Sequence, residues 1–446
     1  MKPPRWQAGT SVLAFLTLIA ACGTQHAAAG ATGPGSVSLT PPSEDQGGMV
    51  LAVATAGDTA GQGTPAAPTT ARAGDPIRDA LADAYKSFKS LKEGKNADYI
   101  PQLAKVDPTY WGLAVVTVEG AVYEIGNARE EFSIQSVSKP FTAARVIDSA
   151  GAETVHERIG VNATGQPFNS ILAIALGKNM PADKDHVRPA GNPLVNAGAI
   201  TTVDLLRPAA GMDKWATILG NLEAFAGRRL KVDEEVFRSE SETNLNNRAI
   251  VNMLKNFEVI KGDPMQALDM YTRQCSVSVN ARDLAVMGAT LANGGRNPLT
   301  GAQVVAPATS AKVLSLLTTA GLYETTGEWM YRVGVPAKSG VGGGIVAIVP
   351  GRFGIATFSP PLDPAGNSVR GQRAIEAIVN RLGANLFASA PAARPRATGA
   401  EKVVPGRGVA PVAGGAPAAA PSSAAKPAVA PAPAATPAAF IPRGKL

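Results

Sequence analysis

The sequence predicts an α/β (α+β) fold: an antiparallel sheet flanked by helices, with a helical subdomain inserted between its two halves. Three observations carry this. Two hairpin-like patterns rich in Val and aromatic residues stand far apart, at 111–127 and 343–361. Each has an amphipathic run on its outer side. About 200 residues dominated by helical spacing separate them. Strands from both ends of a chain meeting in one sheet, with helices between, leave a cleft between sheet and insertion as the expected ligand site.

Taken from the N-terminus, the first element is an export signal over residues 1–21. Lys2 and Arg5 precede an apolar run from Val12 to Ala21, too short to span a bilayer. Ile19-Ala20-Ala21-Cys22 resembles the lipobox of bacterial lipoproteins, so Cys22 is the expected lipidation site and membrane anchor. Ordinary cleavage within "HAAAGA", giving a secreted protein, is the alternative. Residues 22–75 are rich in Gly, Ala, Thr, Ser and Pro and read as a flexible tether.

The folded part is expected over 76–388. "DPIRDALADAYKSFKSL" has helical apolar spacing. "WGLAVVTVEGAVYEIGN" then alternates like a hairpin broken at Glu119-Gly120. Next come helical patterns such as "NRAIVNMLKNF" and "ARDLAVMGATLANGG", the latter ended by Asn293-Gly294-Gly295. "GGIVAIVPGRFGIATFSPP" repeats the hairpin design around Pro350-Gly351, and "SVRGQRAIEAIVNRL" returns to helical spacing. Residues 389–446 form a Pro/Ala-rich basic tail with polyproline-like character.

Of the net charge of +7, residues from 391 onward supply seven basic groups and one acid. The remainder is nearly neutral, which argues against a nucleic-acid-binding fold. The two cysteines, Cys22 and Cys275, allow no cysteine-built metal site, and Cys275 reads as a small buried hydrophobe. His26 lies in the tether, and His156 and His186 stand in no triad-like context. There is no HExxH, no Walker-type loop and no GxGxxG opening a βαβ unit, so no metal or cofactor is expected.

Within "FSIQSVSKPFTAARVI", Ser136 and Lys139 lie one helical turn apart at the start of an apolar run. Free amides at a helix start suit an oxyanion. A lysine acts as base only when neutral, and bringing it from about 10.4 to near neutrality takes about 4 kcal/mol of ammonium destabilisation. Burial plus a second cation can supply that. Lys338-Ser339-Gly340, ahead of a strand pattern, offers the cation. SxxK on a helix with Lys-Ser/Thr-Gly at a strand is the arrangement of serine β-lactamases and penicillin-binding enzymes. The pair alone is weak, since Ser423 and Lys426 repeat it in the tail.

Eight blocks sharpen this: "ADYIPQLAKVDPTYWGLAVVTVEG", "FSIQSVSK", "NPLVNAGAI", "SETNLNNRAI", "YTRQCSV", "TTAGLYETTGEW", "PAKSGVGGGI" and "SPPLDPAGNSVRGQ". In this order they resemble the signature blocks of the serine-dependent glutaminase family, over about residues 80–385. The resemblance implies a β-lactamase-like fold and hydrolysis of L-glutamine by water to L-glutamate and ammonia. It implies Ser136 as nucleophile, Lys139 as its base and Tyr323 as proton relay. The amides of Ser136 and Val341 would form the oxyanion hole. Asn196, Glu240, Asn247 and Tyr271 match glutamine-binding positions, with Glu240 the partner of the α-ammonium, and Tyr99 matches a tyrosine that closes over substrate. A homodimer or homotetramer is implied as well. The chain departs from the family pattern at Asn246, where many members carry Arg. Two other readings stand beside this one: a penicillin-recognising serine hydrolase of the same fold, and a non-catalytic glutamine-binding lipoprotein.

Overall fold

The computed structural model describes residues 74–179 and 188–388. The export signal, Cys22, nearly all of the tether, His26, His186 and the tail lie outside the described residues.

The described residues contain eight strands: β1 (Gly112–Thr117), β2 (Val122–Gly126), β3 (Phe132–Ser133), β4 (Lys231–Val232), β5 (Val277–Val279), β6 (Ala337–Ser339), β7 (Gly344–Val349) and β8 (Phe353–Phe358). The helices bounding the sheet on its outer side are α1 (Pro76–Phe88) and, at the far end of the chain, Val369–Arg381. Between them lie α2 (Pro101–Ala104), α3 (Lys139–Ala150), α4 (Ala152–Arg158), α5 (Ile171–Asn179), α6 (Asn196–Leu205), α7 (Lys214–Ala226), α8 (Glu234–Thr243) and α9 (Leu245–Asn256). α10 (Pro264–Cys275), α11 (Ala281–Ala292), α12 (Pro307–Ala320) and α13 (Thr326–Arg332) follow, which makes the last helix α14.

The main sheet is wholly antiparallel, in the order β2-β1-β8-β7-β6. Both expected hairpins form. Gly120 and Gly351 turn them with φ of 90° and 72°, a conformation glycine adopts without steric cost. Centring β1 on β8 means the first hairpin completes its pairing only with the last strand.

Side-chain alternation along β1 explains the layering. Ala114 and Val116 face one core with Val346, Ala356, Phe358 and the helical insertion. Leu113 and Val115 face the other with Ile345, Ile355 and residues of α1 and α14. α11 lies directly on the sheet: a Cβ at Gly354 would stand 2.4 Å from the amide of Ala289. α1 starts where the sequence indicates, with the Asp75 carboxylate accepting from the amides of Ile77 and Arg78 and Pro76 at the first position.

Two features depart from the expected pattern. A second, three-stranded sheet, β3-β5-β4, joins residues far apart in sequence through strands too short to show periodicity. Lys338 and Ser339 lie inside an edge strand of their own, β6, and the glycine turn 340–343 then leads into β7.

Candidate active site

Ser136 sits in a 3₁₀ turn, Gln135–Ser138, wedged between β3 and α3, and is 5 % exposed. The turn is held from below: Ser138 Oγ donates to the Gln135 carbonyl (2.7 Å), Gln274 Nε2 donates to Ser138 Oγ (2.9 Å), and Thr142 Oγ1 donates to Gln274 Oε1 (2.7 Å). Gln135 has a φ of 49°, and Tyr323, in a second 3₁₀ turn (Tyr323–Thr325), has a φ of 58°. Non-glycine residues in this region are strained and cluster at functional sites. Here the two flank the serine hydroxyl, because Ser136 hydrogen-bonds the Tyr323 oxygen. The Tyr323 hydroxyl in turn donates to the Ser339 carbonyl at 3.2 Å.

Lys139, the first residue of α3, is buried and donates through Nζ to Asn196 Oδ1 at 2.7 Å. The same oxygen accepts from the Tyr271 hydroxyl (3.1 Å), and Asn196 Nδ2 donates to Asn247 Oδ1 (2.9 Å). One residue at the start of α6 thereby joins α3, α9 and α10.

Burial pushes Lys139 down to about 8, against the opposing pull of Cys275 and Glu240. Lys338, the second cation expected to lower it, is not a cause of this fall. Lys338 is fully buried and is itself driven well below the usual lysine range, by burial first and by Lys139 second. Its Nζ donates to the carbonyls of Gly321 (2.9 Å) and Ser339 (2.7 Å) and lies 4.0 Å from the centre of the Tyr323 ring. Lys338 thus braces the tyrosine, and desolvation tunes Lys139. Ser339 Oγ turns away from Ser136 and donates to Asn367 Oδ1 at 2.5 Å.

Burial also pushes Tyr323 up, so it stays a neutral phenol that can pass a proton but not hold its resting charge. Lys139 is then the group in this cluster whose charge changes nearest neutral pH as a base.

The turn after Ser339 approaches the serine very closely. A Cβ at Gly342 would stand 2.5 Å from the Ser133 carbonyl, and one at Gly340 would stand 3.0 Å from Ile134 O. Only glycines let Val341 sit against the Gln135–Ser138 turn. Neither the Ser136 nor the Val341 amide donates to another group among the described residues. Two such amides beside a nucleophile are what an oxyanion requires.

A cavity of about 100 Å³ opens on these groups, lined by Tyr99, Gln135, Ser136, Phe168, Asn169, Asn196, Glu240, Asn244, Asn246, Asn247, Tyr271 and Val341, among others. It is small beside the roughly 300–1,000 Å³ of pockets for drug-sized ligands, which suits a compact metabolite. Two larger cavities, of about 660 and 920 Å³, contain none of the expected site residues. Lys139 and Tyr323 stand behind the wall, reaching the cavity through Asn196 and Ser136.

Glu240, on α8, is the acid in this wall. It is 7 % exposed and accepts from Gln135 Nε2 at 3.2 Å. Burial raises its carboxyl to about 7, while Gln135 and Lys139 pull the other way. An incoming ammonium would restore the carboxylate. Tyr99, 57 % exposed, stands at the rim ahead of α2. Asn246 is also in the wall, where its Nδ2 donates to the Asn169 carbonyl at 2.8 Å.

All the residues expected to bind or react are therefore brought together. Three others were not anticipated. Gln135 orients Glu240, Phe168 packs against Tyr323 with the rings tilted by 36° and their centroids 4.5 Å apart, and Asn367 holds Ser339. Gln135 stands beside Ser136 in the quoted block, and that adjacency was its only signal. Among the described residues no group of His, Cys, Asp and Glu is arranged to hold a metal ion.

The family model described as Glutaminase matches residues 94–387. A glutaminase of Colwellia psychrerythraea is 50 % identical over 311 residues, covering 70 % of this chain and 97 % of that protein. One from Mycobacterium ulcerans is 48 % identical, covering 70 % and 94 %. Among solved structures, a probable glutaminase, ybaS, superposes with a TM-score of 0.67 at 43 % identity, covering 70 % of this chain and 99 % of that one. A probable glutaminase from Bacillus subtilis, complexed with 6-diazo-5-oxo-L-norleucine, gives 0.60 at 30 % identity, covering 70 % and 96 %.

Proposed function

The chain belongs to the glutaminase family, and on that premise we propose how its small cavity hydrolyses L-glutamine to L-glutamate and ammonia. The α-ammonium of glutamine pairs with Glu240, while Asn196, Asn247 and Tyr271 hold the amino-acid end and Tyr99 closes over it. The side-chain carboxamide then lies against Ser136.

Ser136 Oγ attacks the amide carbon as Lys139, acting as its base in the neutral form, takes the hydroxyl proton. The developing oxyanion takes hydrogen bonds from the Ser136 and Val341 amides. Protonation of the leaving nitrogen through Tyr323 breaks the C–N bond, releasing ammonia and leaving a γ-glutamyl ester on Ser136. Water, deprotonated by the same relay, attacks the ester, and the proton returns to Ser136 Oγ as glutamate leaves.

The observation that supports this most directly is a buried lysine held at about 8, one turn from a serine that hydrogen-bonds a neutral tyrosine. The norleucine derivative bound by the Bacillus subtilis relative fits a cavity selecting this amino-acid skeleton. The test is ammonia release from L-glutamine by the wild type and by Ser136→Ala. Loss of turnover in a folded variant that still binds glutamine supports the assignment, and unchanged turnover removes it.

The same reading extends to where the enzyme works. We propose an exported lipoprotein, periplasmic or at the cell surface, anchored through Cys22, with residues 22–75 as tether, 76–388 as catalytic domain and 389–446 as a basic tail. The Lys2/Arg5 start, the apolar run to Ala21 and the Ile19-Ala20-Ala21-Cys22 pattern support it. Metabolic labelling with palmitate, lost in Cys22→Ser, tests the anchor. A homodimer or homotetramer follows from the family, and sedimentation velocity would read it.

A further inference from the structure

Tyr323 keeps its hydroxyl beside Ser136 while holding a backbone conformation that tyrosine rarely adopts, with a φ of 58°. Thr326 fixes the shape of its turn: Oγ1 donates to the Tyr323 carbonyl (2.7 Å) and accepts from the Leu322 amide (3.0 Å). Those bonds lie within the turn and leave open where it stands against β6, the strand that carries Ser339. At one end the backbone settles this, because the Ser339 amide donates to the Gly321 carbonyl at 3.3 Å. At the other end the task falls to Asn367.

Asn367 is fully buried, and its side chain joins two elements. Oδ1 accepts from Ser339 Oγ at 2.5 Å, and Nδ2 donates to Thr325 Oγ1 at 3.1 Å. The Thr325 hydroxyl donates its own proton to the Leu322 carbonyl (2.8 Å), so towards Asn367 it acts as acceptor. This fixes the amide nitrogen on Thr325 and the oxygen on Ser339. The residue is carried by a closed turn, 363–367. Its amide donates to Asp363 Oδ1 (2.9 Å), and the Asp363 amide donates back to the Asn367 carbonyl (2.8 Å). Gln372 Nε2, on α14, anchors the turn by donating to Asp363 Oδ2 at 2.8 Å. Gly366, with a φ of 93°, lets the turn lie over the site: a Cβ there would stand 3.3 Å from Val341 and 3.7 Å from the Tyr323 ring.

We propose that Asn367 is a positioning residue for the hydrolysis, clamping the Tyr323 turn to β6 and so setting how the tyrosine hydroxyl meets Ser136. The inference rests on the reading of Tyr323 as proton relay. Both ends of the clamp act on groups that hold the tyrosine, since the Ser339 carbonyl accepts from the Tyr323 hydroxyl and Thr325 closes its turn. Asn367 is not part of the cavity wall and bonds none of Glu240, Asn196, Asn247 or Tyr271. Its influence therefore falls on the chemical step and not on substrate capture. A displacement on the order of 1 Å at a reacting group can cost about 10²-fold in rate, so a loosened turn is felt in kcat.

The test is a double-mutant cycle on kcat for glutamine hydrolysis, with Asn367→Ala and Thr325→Val each made in the wild type and in Tyr323→Phe. Each single variant is expected to lose about tenfold or more in kcat, with KM within about twofold. In the Tyr323→Phe background neither should cost more than about twofold again, because the hydroxyl they position is gone. Thr325→Ser keeps the hydroxyl and should keep kcat within about twofold of the wild type. Thr325 is only half-buried, so the threonine arm decides should Asn367→Ala not fold. Undiminished kcat in Thr325→Val, an equal loss in Thr325→Ser, or losses that recur in full without the Tyr323 hydroxyl overturn the clamp. Failure of the hydrolytic reading looks different: Ser136→Ala or Tyr323→Phe alone would then leave turnover unchanged.

Discussion

Replacing Lys139 with Met separates chemistry from folding. Burial brings this amine from the ordinary 10.5 to about 8. At about 1.4 kcal/mol per tenfold change in proton affinity, holding the proton at neutral pH destabilises the fold by roughly 3 kcal/mol. The folded protein binds the proton less tightly than the unfolded chain. The penalty is therefore full below about 8 and fades as the pH climbs towards 10.5. Met has a similar length and no charge, so the site keeps its packing. The hydrogen bond lost is the one from Nζ to Asn196 Oδ1, and that oxygen keeps the Tyr271 hydroxyl, so no buried acceptor is orphaned. Losing it costs about 1–2 kcal/mol. Lys139→Met is therefore expected to be more stable than the wild type near neutral pH by about 1–2 kcal/mol, while its turnover falls by about 10³-fold or more. Urea unfolding of both proteins at about pH 7 and about pH 10, read with ammonia release, measures both effects. The stability gain should vanish at the higher pH. A variant less stable than the wild type near neutrality, or a difference that ignores pH, would refute the account of a desolvated base.

Other expectations follow from the same geometry. The kcat/KM for glutamine should fall as pH drops through about 8, where Lys139 gains its proton, and fall more steeply below about 7, where Glu240 loses its charge. In Glu240→Gln the steeper limb should disappear and KM should rise about tenfold or more, because the ammonium loses its carboxylate. Tyr323→Phe should lower kcat by about 10²-fold or more with little change in KM, since the ring and its contacts remain while the relay hydroxyl is lost. Gly342→Ala places a methyl 2.5 Å from the Ser133 carbonyl. Displacing the Val341 amide in this way should cut kcat by about 10²-fold, with a loss of stability of about 1–3 kcal/mol in urea.

Local signals carried much of this architecture. The hairpins at Gly120 and Gly351, the Asp75 cap and the helical spacing of α11 all lie within short windows, where periodicity is readable. Ser136, Lys139, Glu240 and the asparagines were legible through ordered blocks. What stayed hidden depends on contacts between distant residues. Gln135 reaches Glu240 across 105 positions, and β3, β4 and β5 are two or three residues long. That burial, and not Lys338, lowers Lys139 was hidden too, because desolvation depends on what packs around the ammonium, and a sequence carries no depth. Asn246 drew attention as a missing charge. In the structure it ties α9 to the segment holding Phe168 and Asn169.

The strand order also sets a timetable. β1 is apolar and buried along its whole length, and its partner on one side is β8, whose first residue is Phe353. Until that strand has been made, β1 can close only its hairpin, and one of its edges stays open. Such distant pairing folds slowly and keeps sticky backbone exposed meanwhile. The glycine turn that seats Val341 against Ser136 arrives equally late in synthesis. A nascent chain therefore has no working hydrolase until nearly its whole catalytic part has emerged. On the exported reading proposed above, the same delay would keep the chain threadable and spare the glutamine of the cell that made it.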